Sequence, residues 1–200
     1  MANTAPAEEI GSIQLPPPQT DAGGSLMQAL KLRRSTREYS RRPLPLPLLS
    51  TLLWAAFGIN RPDKGGRTAP SAHNWQEIQV HAVLPEGVYR YDPAGHALRL
   101  IVGGDHRSLT GVQEFVGQAP LNLVYVARFS QMVDADAEQR TFFAAADAGC
   151  IAQNVYLLCA SVGLACVVRG LVDRRRLAPA MHLQADERIV LAQSVGFPAT

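Results

Sequence analysis

From Ala148 to Val168 the chain carries no charged residue. A run of that length belongs either in a membrane or in the core of a folded domain. Gln153, Asn154, Ser161 and Gly163 interrupt it, which argues for the core. Gly163 reads as a helix C-cap, so a helix from about Glu138 to Val162 is expected, then a buried strand over Leu164–Val168. Ala144, Ala145, Ala146, Ala148 and Gly149 are small enough to let a second helix approach closely. Two readings stay open for this helix. It is an ordinary core helix whose amides, Gln153 and Asn154, are satisfied internally, or it is a dimer-interface helix whose amides face another chain.

The rest of the composition narrows the class. Two hundred residues with 47% hydrophobic content and a net charge of +2 exclude general disorder and suffice for one self-supporting core. Cys150, Cys159 and Cys166 lie nine and seven apart, a spacing that matches neither zinc nor redox motifs, so they read as buried free thiols. The first twenty-five residues hold Glu8, Glu9 and Pro16-Pro17-Pro18 and lack a basic-then-apolar leader. A soluble, cytoplasmic protein is expected, without membrane or nucleic-acid partners. Residues 1–24 read as an extended N-terminal arm lying on the surface or on a partner subunit, and 25–200 as one domain.

Along that domain, Ser25 caps a helix ending near Arg34, and Pro47 opens a second one over Leu48–Phe57, closed by Gly58. A polar loop follows over 59–74. The period then drops to two at Glu77–Val83, a half-buried strand. Val88–Tyr91 and Ala97–Ile101 flank Asp92-Pro-Ala-Gly95 as a hairpin. A short helix is expected over Ser108–Val116, a strand over Leu121–Ala127, a helix around Val172–Met181 and a last strand over Arg188–Val195. Strands and helices mix without βαβ alternation, which predicts an α+β fold with a mostly antiparallel sheet.

Charge is concentrated in one place. Lys31–Arg42 holds six basic residues against Glu38, a local +5 that leaves −3 for the remainder. Such a cluster on a nearly neutral chain suits either a specific anion such as a phosphate or a solvated helix end. There is no Gly-x-Gly-x-x-Gly, no Walker loop, no His-Glu-x-x-His and no Gly-x-Ser-x-Gly. The five histidines lack metal-ligand spacing, so no metal site is expected. Two polar segments remain, Arg33-Arg34-Ser35-Thr36-Arg37 and Ala69-Pro-Ser-Ala-His-Asn-Trp-Gln76. The first offers forked guanidinium donors and hydroxyls for an anion, and the second a turn whose amides can read a heterocycle edge. His73 reads either as a proton donor in that turn or as an exposed loop histidine.

In order along the chain, these two segments, the strand Ala119-Pro-Leu-Asn-Leu-Val124 and the closing Arg169-Gly170 resemble the FMN-dependent nitroreductase family over residues 25–198. The wording of the loops is nearest to its azoline-oxidising (SagB-type) dehydrogenase branch. The resemblance implies an intertwined homodimer with FMN in two interface clefts and NAD(P)H as reductant. Arg33, Arg34, Ser35 and Arg37 then match the family's N-terminal flavin-contacting motif. Pro70, Ser71 and Asn74 match the loop that reaches the same flavin from the other subunit. Arg169 and Gly170 match the segment whose main chain approaches the flavin ring, and Gln113 matches a contact to the ring's pyrimidine edge. Many relatives carry Glu where Arg169 stands, which implies a more positive field here. No catalytic side chain is implied, because the flavin carries the hydride chemistry between NAD(P)H and a small organic acceptor. The resemblance leaves open a dehydrogenase of azoline-type rings, or a flavin-binding protein without turnover.

Overall fold

The computed structural model describes residues 11–199. Its strands in chain order are β1 (Ser12–Gln14), β2 (Ile59–Arg61), β3 (Gly66–Arg67), β4 (Ile78–Leu84), β5 (Gly87–Asp92), β6 (Ala97–Gly103), β7 (Leu121–Arg128), β8 (Ala165–Arg169) and β9 (Glu187–Gly196). Seven of them form one sheet in the order β1-β6-β5-β4-β7-β9-β8. Every neighbouring pair in it is antiparallel.

The sheet is covered on both faces. On one, Val80, Leu123 and Tyr125 pack with Leu52 and Leu53 of helix α2 (Leu46–Phe57) and Ile151 and Val155 of helix α3 (Ala137–Val162). On the other, Val83, Val124 and Val126 pack with Leu177 of helix α4 (Arg174–Ala180) and with Met181 just beyond it. The strand expected to be half-buried is thus covered on both sides, and even His81 is only 2% exposed.

Local chemistry sets the ends of the helices. Ser25 accepts a hydrogen bond from the Gln28 N–H ahead of α1 (Leu26–Leu32). Asp136 and Gln139 form a reciprocal capping box at the start of α3. Gly163 ends that helix at φ 74, a conformation that costs glycine little. α3 is long and apolar enough to cross a membrane, yet 44% of its most apolar window is buried inside the domain. Of its two amides, Asn154 donates to the carbonyl of Ala55 in α2 (3.1 Å) and Gln153 is exposed. All three cysteines are free thiols, with Cys159 and Cys166 buried.

Two expectations fail here. Residues 108–116 are not one helix but two 3-10 turns, Arg107–Thr110 and Glu114–Gly117, with Gly111 fully extended between them. The cause is Arg169, whose guanidinium takes the Thr110 carbonyl that would continue a helix. A Cβ on Gly111 would stand 2.1 Å from Arg169 Nη1. Residues 59–74 are not wholly loop either. β2 and β3 pair across a tight turn, and strands of three and two residues are too short to show alternation. The arm, in its residues 12–14, adds β1 to the sheet beside β6.

Candidate functional site

β8 closes one edge of the sheet, and the basic segment lies along its outer side. Thr36 N–H donates to the Cys166 carbonyl (2.9 Å), and Tyr39 bridges to Pro198 beyond β9. One hydroxyl on α3 fastens the segment further. Tyr156 OH accepts from the Val168 N–H (2.9 Å) and lies 2.8 Å from Ser35 Oγ. The Arg33 guanidinium sits 5.3 Å from the centre of the same ring, within cation–π range. Arg34 and Arg37 are exposed. Among the described residues, no carboxylate pairs with Arg33, Arg34 or Arg37. Gly170 follows β8 directly and is exposed. A Cβ there would meet only Leu191, at 4.0 Å.

Arg169 itself turns inward and is 5% exposed. Its Nη1 donates to Thr110 O (2.7 Å) and its Nη2 to Asn122 Oδ1 (3.0 Å), an oxygen that also accepts from Ser194 Oγ (2.6 Å). Burial lowers its pKa from 12.5 to about 10, so it stays cationic at neutral pH. Its Nε and the buried Gln113 Oε1 find no partner among the described residues. Both side chains crowd Gly111, which places Gln113 beside Arg169. The structure therefore gathers Arg33, Ser35, Gln113, Arg169 and Gly170 around the end of β8.

Pro70, Ser71 and Asn74 lie elsewhere in the same chain. Their loop leads into β4, and β7 and β9 stand between β4 and β8. With all neighbours antiparallel, the start of β4 and the end of β8 emerge at the same end of the sheet, two strands apart. The loop is firmly held. Ser71 Oγ accepts from the Gln76 N–H (2.8 Å) and donates to Glu77 Oε2 (3.2 Å), while Ala72 N–H donates to Asp147 Oδ2 (2.9 Å) on α3. Glu77 and Asp147 are 0% and 6% exposed. Burial, with the neighbouring Asp147 carboxylate adding to it, pushes Glu77 from 4.5 up to about 7. His73, Asn74 and Gln76 all adopt positive φ, at 50°, 55° and 51°, a conformation uncommon for residues with a Cβ. His73 is exposed and stacks on Trp75, with ring centres 4.5 Å apart.

Tyr156, Glu77 and Asp147 are the site residues that sequence reasoning missed. Asp147 had a visible signal, as the sole charge between Thr141 and Val168. Glu77 had none, since it stands at a polar position of an alternating strand.

Comparison with known proteins assigns the chain to a family. The Nitroreductase family model matches residues 30–197. A relative from Methanocaldococcus jannaschii that carries a provisional nitroreductase name is 32% identical over 155 residues, covering 72% of this chain and 78% of its own. A crystal structure of a provisionally named nitroreductase from Ralstonia eutropha JMP134 is 51% identical and superposes with a TM-score of 0.90 over 94% of this chain and 90% of its own. The NADPH:FMN oxidoreductase of Vibrio harveyi, solved with NAD+, shares the fold at 20% identity with a TM-score of 0.65, over 88% of this chain and 69% of its own. By the family model, and by sequence and architecture over most of its length, this chain belongs to the nitroreductase family.

Proposed function

We propose that the chain is an FMN-dependent oxidoreductase that works as a homodimer, passing hydride from NAD(P)H to a small organic acceptor. The observation that carries this reading is the run of guanidinium groups without carboxylate partners along the outer side of β8, the strand that leads into the exposed Gly170. Unpaired cations held next to open backbone suit a phosphate joined to a planar polar ring. The orphaned Gln113 Oε1 and Arg169 Nε agree with the same fit, since buried polar groups call for partners.

Arg33 and Arg37 would hold the phosphate, with Arg34 and Ser35 beside them. The Gly170 main chain and the Gln113 amide would face the polar edge of the ring. Arg169 acts on the ring through its backbone. Its side chain is bound to Thr110 and Asn122 and adds a buried positive charge nearby. Pro70, Ser71 and Asn74 would complete the cleft from a second copy, because their own chain sets them two strands away. When bound, FMN supplies reversible hydride exchange, while the protein supplies orientation and field.

The apolar surface supports the pairing of two copies. Leu26 and Met27 of α1 are 62% and 74% exposed, and Phe142 of α3 is 66% exposed. Ala145, Ala146 and Gly149 continue the α3 face uncovered. An apolar face of this kind marks an interaction site.

The absorption spectrum of the purified protein and the mass of its extracted chromophore test the cofactor. The expected result is FMN that bleaches when NADH or NADPH is added without oxygen. FAD, or no flavin after reconstitution, overturns the reading.

A further inference from the structure

β4 and β5 pair only between His81–Arg90 and Leu84–Gly87. Beyond Arg90 the two strands part, with Ile78–Val80 staying on β7 and Tyr91–Asp92 on β6. The fork opens into a cavity of about 330 Å³ whose lining includes Arg67, Arg90, Arg99 and Arg128. That volume is at the lower end of the range for small-molecule sites.

Among the described residues that line this cavity, four guanidinium groups face one carboxylate, Asp92. Arg99 is tied to Asp92 through Nε (3.1 Å) and Nη2 (2.8 Å). Arg128 Nε comes only within 4.0 Å of Glu187. The oxygens of that carboxylate already accept from Gln79 Nε2 and from the Gln184 N–H. Arg67 donates only to neutral acceptors, Gln76 Oε1 (2.8 Å) and Phe57 O (3.4 Å). Burial lowers its pKa from the usual 12.5, and the nearby Tyr91 and Asp92 offset this only in part. Arg90 is half-buried and has no hydrogen-bond or ion-pair partner among the described residues. Among the described residues, Arg67 and Arg90 thus line one concave space without an ion-pair partner of their own, beside Arg99 and Arg128.

We propose that the fork between β4 and β5 is a binding site for a small polyanion, a di- or tricarboxylate or a phosphate ester, held by Arg67, Arg90 and Arg128. Such a ligand supplies the missing negative charge through forked guanidinium contacts. The basic segment along β8 is a different cluster on a different part of the sheet, so this site stands whether or not the chain carries a flavin.

Isothermal titration of the full chain with citrate and, separately, with pyrophosphate tests the site. Citrate distinguishes a carboxylate ligand and pyrophosphate a phosphate ligand. Saturable binding of either is expected, weakened about tenfold to a hundredfold in Arg90→Ala and unchanged in Arg175→Ala, which removes one exposed charge on α4. Arg128→Ala serves as a second lesion should Arg90→Ala fail to fold, and it should weaken binding in the same direction. Binding of neither probe overturns the proposal. So does equal weakening by Arg175→Ala, which would mean general screening. Loss of binding in Arg37→Ala with retention in Arg90→Ala would move the anion to the basic segment and also overturn it.

Discussion

The 33–37 segment and the 70–77 loop solve opposite problems with the same helix. The first is fastened by its backbone to β8 and by one hydroxyl to Tyr156 of α3, which leaves Arg34 and Arg37 exposed and without carboxylate partners among the described residues. The second is gripped by buried side chains, Glu77 and Asp147 of α3 among them. It holds three non-glycine residues at positive φ, each costing about 1 kcal/mol or more. One region presents charge on a plain backbone, and the other spends buried carboxylates to fix an unusual backbone. Lesions in the first should therefore appear in binding and lesions in the second in stability.

The largest expected break in that contrast is Arg37→Ala. Losing a charge-assisted phosphate contact should weaken FMN binding by about 1.5–3 kcal/mol, roughly tenfold to a hundredfold. The unfolding midpoint of the flavin-free protein should barely move. Calorimetric titration beside thermal melting checks both, and a collapse in stability with FMN affinity retained would make Arg37 structural.

Asp147→Ala should do the reverse. It strips the Ala72 N–H of its acceptor and should cost about 1–3 kcal/mol of fold stability, the usual penalty for an unpaired buried donor. Urea unfolding of the flavin-free protein measures it. A loss below about 0.5 kcal/mol would show that the loop is held by something else.

A mixed dimer tests whether the two regions meet across chains. Arg37→Ala and Asn74→Ala chains, each unable to bind flavin well, are refolded together. Half the dimers are then mixed, and each mixed dimer has one cleft with both lesions and one with none. Two-fold symmetry thus predicts recovery in about a quarter of all clefts. No recovery despite proven exchange of chains would place both residues in one cleft of one chain.

The last effect concerns pH. With its pKa raised from 4.5 to about 7, Glu77 keeps a proton in the folded state that the unfolded chain has released. Its contribution to stability is therefore complete below pH 4.5 and declines as pH rises to about 7. Glu77→Gln cannot titrate and should flatten that slope in melts taken from pH 4.5 to 8. An unchanged slope would assign it to another group.

The antiparallel α+β class, the long helix and its Gly163 stop were legible because period and capping are local signals. So were the two polar segments, whose residue types state their chemistry. The break at Gly111 was not legible, since Arg169, 58 positions later, is what denies Thr110 its helical hydrogen bond. Nor was the Glu77–Asp147 pair, which joins a strand entrance to a helix seventy residues away. Gln153 and Asn154 looked alike in sequence, but only Asn154 faces α2.

Both outer strands of the sheet are denied to other chains. β1 is only three residues long, and along β8 the Cys166 carbonyl and the Val168 N–H are already taken by Thr36 and Tyr156. Strands so short or so occupied are poor templates for a sheet continued from molecule to molecule, the route by which exposed strands lead to fibres. The same arrangement marks where heat damage should begin. If residues 33–39 peel away, the Cys166 carbonyl loses its Thr36 partner, so aggregation on heating should begin at this edge before the core melts.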